Sequence, residues 1–215
     1  MSQTCNEMHQ LFNGMQRFSF PFEDHDIPKN GIYVLFEKGE DGHGGDRIVR
    51  VGTHTGVDQL RSRLKQHFVK ENKDRSIFRK NIGRAILFRN NDLFLEQWEW
   101  DLTTREKKDK YLPLLDQIKQ VQVEKEVSAY IQKDFSFAVF EVNTKEERFN
   151  LESKIISTVS LCDECEPSSG WLGNYSPKHK IRESGLWLVN ELYKIPFSRD
   201  DLHGLKEFCN VKKCK

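Results

Sequence analysis

Two basic side chains stand four residues apart in a segment whose apolar spacing predicts a helix. Arg63 and His67 therefore share a face of that helix, at the edge of its apolar stripe. An arginine can hold a phosphate through its guanidinium, and a histidine can transfer a proton near neutral pH. An ordinary solvated basic face is the alternative interpretation, and the pattern alone favours it.

A single carboxylate interrupts the apolar face of a later predicted helix. Phe149, Ile156 and Val159 flank Glu152 at helical spacings, so its carboxylate is expected to point toward the body of the protein. Burying a carboxylate is costly unless it is paired, hydrogen-bonded or bound to a metal. A metal ligand and a partner in a buried ion pair both fit this pattern.

The elements that must position these side chains alternate between strands and helices. Apolar runs predict three strands, at residues 32–36, 48–51 and 136–142. The first two are expected to form a hairpin around a flexible glycine-rich turn at 38–46. Tyr33 lies in the first strand, where nothing in the local pattern marks it as catalytic.

Helical periodicity follows in the segments 58–68, 76–88, 107–133, 144–159 and 181–193. Asp58 is the predicted N-cap of the first of these helices, and Thr144 with Glu147 forms a predicted capping box. Ile77 is expected to face inward, and Trp187 to lie in the last helix. Residues 93–100 fit a strand or a short helix, and the charged segment 107–133 is predicted to be an excursion from the main body.

Length and charge bound the function classes. The 215 residues can bury a sizeable core, and the net charge of +1 argues at first sight against a polyanion partner. The charge is unevenly distributed, however, because residues 47–89 hold twelve Lys and Arg against three acids. That block is +9 and the remainder is −8, so a local field can still attract an anion.

The absence of membrane and signal patterns and the number of cysteines also bound the function classes. The chain has no apolar run long enough to cross a membrane and opens without a secretory signal pattern, so we expect a cytoplasmic protein without a membrane partner. Five cysteines are an odd number for a disulfide framework. Cys162-x-x-Cys165 together with Cys209 and Cys214 would supply four thiolates for zinc, and unliganded reduced thiols are the alternative.

Four short motifs, taken together, resemble those of a known protein family. Gly31-Ile32-Tyr33, then Arg50-Val51-Gly52, then Arg63-Leu64-x-x-His67 and a later helix with Glu152 resemble the GIY-YIG nuclease superfamily in order, spacing and context. The motifs cover about residues 30–160. Val51-Gly52-Thr53-His54, the stretch 167–173 and Ser184-Gly185-Leu186-Trp187 look like stand-alone GIY-YIG domain proteins, which extends the likeness to about residue 195.

The resemblance implies an α+β fold, with a small antiparallel sheet of about three strands flanked by helices. It divides the chain into a lead-in (1–29), a nuclease-like domain (30–195) with a helical insertion at about 101–133, and a C-terminal tail (196–215). It also implies a metal-dependent DNA endonuclease that uses Mg²⁺ or Mn²⁺. Tyr33 and His67 would handle the proton, Arg63 would hold the phosphate and Glu152 would bind the metal.

The basic block gives this implied nuclease a DNA surface. Phosphate contacts supply affinity and salt dependence without reading sequence. The expected DNA-binding residues are Arg50, His54, Arg75, Arg79, Lys80 and Arg84. Arg50 replaces the second tyrosine of the family, which leaves open a catalytically inactive nucleic-acid-binding module. A zinc-stabilised interaction protein is a third possibility, and neither DNA specificity nor oligomeric state follows from the sequence.

Overall fold

A four-stranded antiparallel sheet forms the centre of the computed structural model, which describes residues 2–210. The spatial order is β1-β4-β2-β3. The strands are β1 (Phe18–Ser19), β2 (Gly31–Gly42), β3 (Gly45–Gly52) and β4 (Phe135–Glu141). The α+β class and the small antiparallel sheet are thereby confirmed, with the two-residue β1 added to the three predicted strands.

The β2–β3 hairpin is longer and tighter than its glycine-rich sequence predicts. Pairing continues to Gly42 opposite Gly45, so only two residues form the turn. His43 and Gly44 have φ values of 53° and 75°. Two left-handed residues give a turn whose twist matches that of the paired strands. The flexible loop expected at 38–46 is therefore mostly strand.

Helices cover both faces of the sheet. They are α1 (Ser2–Asn13), α2 (Leu60–Phe68), α3 (Ile77–Arg89), α4 (Leu95–Glu99), α5 (Arg105–Tyr111), α6 (Gln117–Asp134), α7 (Lys145–Ser160), α8 (His179–Ser184) and α9 (Arg199–Asn210). One core joins α2, α3 and α6 to the sheet, and a second joins α1, α7 and α9 to its other face. Tyr33 and Leu35 of β2 enter the first core, and Val34 enters the second. Burial on both faces explains why this strand reads as a continuous apolar run.

Two predictions about helix ends and faces are wrong. Asp58 does not cap α2, because it adopts a φ of 56° and exchanges two hydrogen bonds with Asn30. The helix begins two residues later, at Leu60. Ile77 does not face inward but is 50% exposed, since it is the first residue of α3 and lies beyond the packed stripe. The Thr144 cap of α7 is confirmed, with its hydroxyl accepting from the Glu147 N–H.

The predicted final helix stops early. Gly185 takes the left-handed conformation that ends many helices, with a φ of 65°, so α8 covers only His179–Ser184. Trp187 is therefore not helical. Its backbone N–H donates to Val49 O over 2.8 Å, and its indole is completely buried. The segment after α8 thus returns to the edge of β3.

Several segments pack more closely than their patterns indicate. The charged region contains α5, a short 3-10 turn and α6, and α6 buries Val127 and Ile131 in the first core instead of leaving the main body. Residues 2–13 form α1, which contacts β3 and α9. Lys206 of α9 forms a 3.0 Å ion pair with Glu7 of α1. Among the described residues, no helix has both the length and the apolar character needed to cross a membrane.

Candidate active site

Tyr33 is held against the backbone of the neighbouring strand. β2 and β3 place it opposite Gly52, and a Cβ atom at that position would lie 2.2 Å from the Tyr33 hydroxyl. A Cβ at Gly31 would meet Phe140 O at 2.1 Å. These two glycines of the motifs are therefore required by close approach. They leave the tyrosine only 1% exposed, in the interior beside β3.

A hydrogen-bonded chain runs from this tyrosine through two helices. The Tyr33 hydroxyl lies 2.8 Å from His67 Nε2, and His67 Nδ1 lies 2.7 Å from Ser76 Oγ. Ser76 is also the N-cap of α3, where its Oγ accepts from the Arg79 N–H. The chain therefore fixes the position of α2 relative to α3. Sequence reasoning began the helix at Ser76 but assigned this serine no role in the site.

His67 is neutral near pH 7. Burial lowers its pKa well below the usual 6.5, and the positive charges of Arg50, Arg63 and Arg79 lower it further. A neutral imidazole donates from one nitrogen and accepts at the other. In one tautomer His67 accepts a hydrogen bond from the Tyr33 hydroxyl at Nε2 and donates one from Nδ1 to Ser76 Oγ. In the other it donates from Nε2 to the tyrosine oxygen and accepts from Ser76 at Nδ1.

A cleft of about 440 Å³ opens beside this chain, between β3, α3, α7 and the segment after α8. Its walls are Arg50, Val51, Ile77, Asn81, Phe149, Glu152, Ile156, Leu188, Val189, Asn190 and Glu191. Burial raises the pKa of Glu152 to about 7, against the opposing effects of Arg50, the Thr53 backbone amide and Arg63. The charge of Glu191 contributes a smaller part of that rise. Glu152 thus faces the cleft as a carboxyl whose charge is incompletely compensated.

Two polar donors in the same cleft have no hydrogen-bond partner among the described residues. They are Arg50 Nε and Asn81 Nδ2. Arg50 is 8% exposed, and its Nη1 donates to Trp187 O. Asn81 Oδ1 accepts from Arg84 over 2.6 Å, which orients the amide. Unsatisfied buried donors are rare, and these two suit an oxygen-rich anion.

The residues singled out as catalytic converge on this region. Arg63 is half-buried on α2, where it donates to Gln66 Oε1 over 3.2 Å. Its charge lowers the pKa values of both His67 and Glu152. Glu152 forms part of the cleft wall, whereas Tyr33, Arg63 and His67 do not line the cleft. Asn81 was missed by sequence reasoning, because nothing in the pattern of α3 distinguishes a cleft residue from a core residue.

Most of the residues expected to contact DNA are engaged inside the protein. His54 accepts from Gly31 N–H at Nε2, and its Nδ1 lies 2.7 Å from Gly56 O. Arg79 and Arg84 form buried or partly buried ion pairs, with Glu124 and Glu99 respectively. Lys80 donates to Glu99 O over 2.8 Å. Arg50 lines the cleft, and Arg75 is exposed just before α3.

Comparison with protein families identifies the family of this chain. The GIY-YIG domain family matches residues 2–212, which is almost the whole chain. The chain therefore belongs to the GIY-YIG family, whose members are generally nucleases. The match includes α1 and α9, which lie outside residues 30–195, where the sequence motifs occur. Comparison with curated proteins and with solved structures gives no significant match.

Proposed function

We propose that this GIY-YIG protein is a divalent-metal-dependent endonuclease that hydrolyses DNA phosphodiester bonds in the Arg50–Glu152 cleft. The observation that carries the proposal is the placement of the Glu152 carboxyl in the same cleft as the unpartnered donors Arg50 Nε and Asn81 Nδ2. Phosphodiester hydrolysis requires an activated water and compensation of the charge that develops on phosphate. This cleft offers a carboxylate and two donors for those tasks.

Glu152 is the residue that would hold the metal. Its carboxylate oxygens are suitable ligands for Mg²⁺ or Mn²⁺. Mg²⁺ commonly binds through one or two carboxylates while keeping several waters. The incompletely compensated carboxyl, with its raised pKa, supports this assignment because a cation would remove the cost of ionising it. When bound, a divalent cation supplies positive charge to the phosphate and acidifies coordinated water.

Arg50 and Arg63 would hold the scissile phosphate. The Nη1 of Arg50 is anchored on Trp187 O, and its Nε is a buried donor without a hydrogen-bond partner. Asn81 would add a neutral donor. Fixed donors stabilise developing charge without reorganising during the reaction. In this arrangement Arg50 is a phosphate ligand at the position where the family has its second tyrosine.

Tyr33 would orient the attacking water by accepting a hydrogen bond from it, and His67 would hold the tyrosine hydroxyl in position. The pKa of His67 is lowered by burial and by three arginines, so the imidazole is a poor final acceptor for a proton. It can instead donate from Nε2 to the tyrosine oxygen while Ser76 donates to Nδ1. The lowered pKa thus favours a role for His67 in tuning Tyr33 over one in receiving its proton.

A non-catalytic nucleic-acid-binding module is the second candidate. Two observations favour it: Arg50 removes one hydroxyl expected in the family site, and Tyr33 is almost fully buried. In that case the cleft would bind a phosphate without cleaving it. Both candidates have DNA as the partner, and they differ only in turnover.

Conversion of supercoiled plasmid to nicked circles separates the two candidates. We expect wild-type protein with Mg²⁺ or Mn²⁺ to nick the plasmid, and Glu152→Gln to lower the rate by about 100-fold or more because the metal ligand is lost. Glu146→Gln is the matched control, since Glu146 is an exposed glutamate on the same helix. It should retain the wild-type rate.

Binding is measured in parallel by fluorescence anisotropy of a labelled duplex. Binding without nicking across a series of metals and salt concentrations would overturn the endonuclease proposal in favour of the binding module. Equal nicking rates for wild type and Glu152→Gln would show that the activity does not come from this cleft.

A further inference from the structure

A second cluster of metal-binding side chains lies outside the cleft. Cys5, His9, His43 and Cys165 place one ligand atom each within 4.8 Å of all the others. They come from α1, from the turn between β2 and β3, and from the segment after α7. Three segments far apart in sequence thus converge on a region that is mostly buried.

Cys162 lies at the edge of this cluster. Its Sγ lies 3.4 Å from His43 Nε2, and the neighbouring Cys165 contributes to raising its pKa. Cys5 Sγ lies 3.6 Å from Cys165 Sγ. Around a tetrahedral zinc the expected separations are about 3.8 Å between two sulfurs and about 3.5 Å between a sulfur and a nitrogen. The two distances in this structure correspond to opposite edges of such a tetrahedron.

The two histidines differ in the nitrogen that each can offer. His9 has both nitrogens engaged, because Nε2 accepts from the Ile48 N–H over 3.2 Å and Nδ1 lies 3.0 Å from Cys5 O. His43 points Nδ1 at the carboxylate of Glu164, at 3.5 Å, and Nε2 at Cys162. A carboxylate behind a histidine is the usual support of a zinc ligand.

We propose that Cys5, His43, Cys162 and Cys165 bind one structural Zn²⁺, with His9 as a positioning residue beside it. Three thiolates and one imidazole in tetrahedral geometry select zinc over Mg²⁺ or Ca²⁺. Four protein ligands leave no open position for substrate, so the site is structural. Sequence analysis paired Cys162 and Cys165 with Cys209 and Cys214. The structure offers Cys5 and His43 instead, and Cys214 lies outside the described residues.

The site would fasten elements that carry the cleft. The β2–β3 hairpin bears Tyr33 and Arg50, while α7 bears Glu152. His43 lies at the tip of the hairpin, and Cys162 follows α7 directly. Zinc would tie both to α1, and part of its binding free energy would become folding free energy.

Zinc content of the full chain, purified under reducing conditions without added metal, tests the proposal. We expect about one zinc per chain in wild type, and about 0.1 or less in Cys162→Ser and in His43→Ala after dialysis against EDTA. His9→Gln should keep about one zinc per chain before dialysis and bind it about 10-fold more weakly. Cys209→Ser is the cysteine control and should match wild type.

Cobalt substitution keeps the test valid where a variant fails to fold. Wild-type protein whose zinc is exchanged for Co²⁺ should show tetrahedral visible bands and thiolate-to-cobalt charge transfer. Cys162→Ser, where it folds and is saturated with excess Co²⁺, should lose about one third of that charge transfer, since two of three thiolates remain. Zinc content near zero with no cobalt spectrum in wild type would overturn the site. So would a Cys5–Cys165 disulfide, seen as a mass deficit of two hydrogens.

Comparing the zinc content of two variants tests which residues are the zinc ligands. Retention of zinc by Cys162→Ser together with its loss in His9→Gln would contradict the proposed ligand set. Zinc content of Glu152→Gln keeps this inference separate from the proposed function. That variant should bind zinc like wild type whether or not the cleft hydrolyses DNA.

Discussion

Glu152 combines an ionisable carboxyl with substantial burial, and this has a consequence for stability. Burial raises its pKa to about 7, from an ordinary value of 4.5. Between those values the folded protein holds a proton that the unfolded chain has released. The stabilising contribution of this group is therefore fully present below pH 4.5 and falls as the pH rises toward 7.

Glu152→Gln should remove this loss of folding stability at higher pH. Because glutamine cannot ionise, we expect the variant to be more stable than wild type at pH 8 without divalent metal, by up to roughly 3 kcal/mol. At pH 4 the two proteins should be about equally stable. Urea unfolding at both pH values measures the difference, with Glu146→Gln as the control. A difference of the same size at both pH values would contradict the role of ionisation.

His67 lends itself to a comparison of two substitutions. Glutamine at this position keeps an N–H donor toward Tyr33, whereas phenylalanine keeps only the volume. If His67 positions the tyrosine, His67→Gln should lower the nicking rate by no more than about 10-fold and His67→Phe by about 100-fold. Circular dichroism checks that both variants fold. Equal losses in the two variants would instead assign proton transfer to the imidazole.

Helix α6 shows what local patterns miss at the scale of an element. Its charged sequence predicts a helix correctly, but the ion pair that docks it is a tertiary contact. Arg79 of α3 donates to the Glu124 carboxylate over 2.7 Å and to Ser128 Oγ over 2.8 Å. Breaking one side of a buried pair leaves an uncompensated charge in the core.

Arg79→Met should therefore destabilise the protein by about 3–5 kcal/mol in urea unfolding. Arg79→Met combined with Glu124→Met should recover part of that loss, because no lone charge remains. Arg89→Met, an exposed arginine at the end of the same helix, should change stability little. A double variant less stable than Arg79→Met alone would contradict this account.

Sequence patterns predicted elements where apolar periodicity was strong, and failed where structure depends on distant contacts. β4 and α7 follow their patterns closely. α1 was missed because few of its residues are strongly apolar, although Cys5, Met8 and Phe12 are completely buried. In the site, Glu152 was singled out by its place on an apolar helix face, and Tyr33 through motif resemblance. Asn81, Ser76 and the His43 cluster depend on tertiary contacts and leave no local pattern.

At the scale of the whole molecule, the basic block between residues 47 and 89 is partly neutralised by ion pairs within the protein. Acids elsewhere in the sequence pair with its members, as in Arg47 with Glu40, Arg79 with Glu124, and Arg84 with Glu99. The +9 of the block and the −8 of the remainder are thus in part the two sides of buried ion pairs. A few cations near the cleft remain for a polyanion.

The salt dependence of DNA binding measures how many cations of the block remain available to contact phosphates. A protein that used all nine net charges would show a slope of log affinity against log salt of about −8, whereas about three phosphate contacts give about −3. We expect the shallower slope in anisotropy titrations with Glu152→Gln, which prevents cleavage. Arg75→Ala should reduce the slope by about 1. Arg105→Ala, a highly exposed arginine on α5, is the control, and a slope near −8 would contradict the buried pairing.

The return of the segment after α8 to β3 also affects how the protein is made. The backbone of Trp187 forms hydrogen bonds with Val49 and Arg50, and residues 188–191 complete the wall of the cleft. Tyr33 leaves the ribosome well before the residues of this wall are translated. A nascent chain therefore carries most of its site residues long before it has a cleft. The proposed hydrolytic centre assembles only after residues 188–191 have been synthesised.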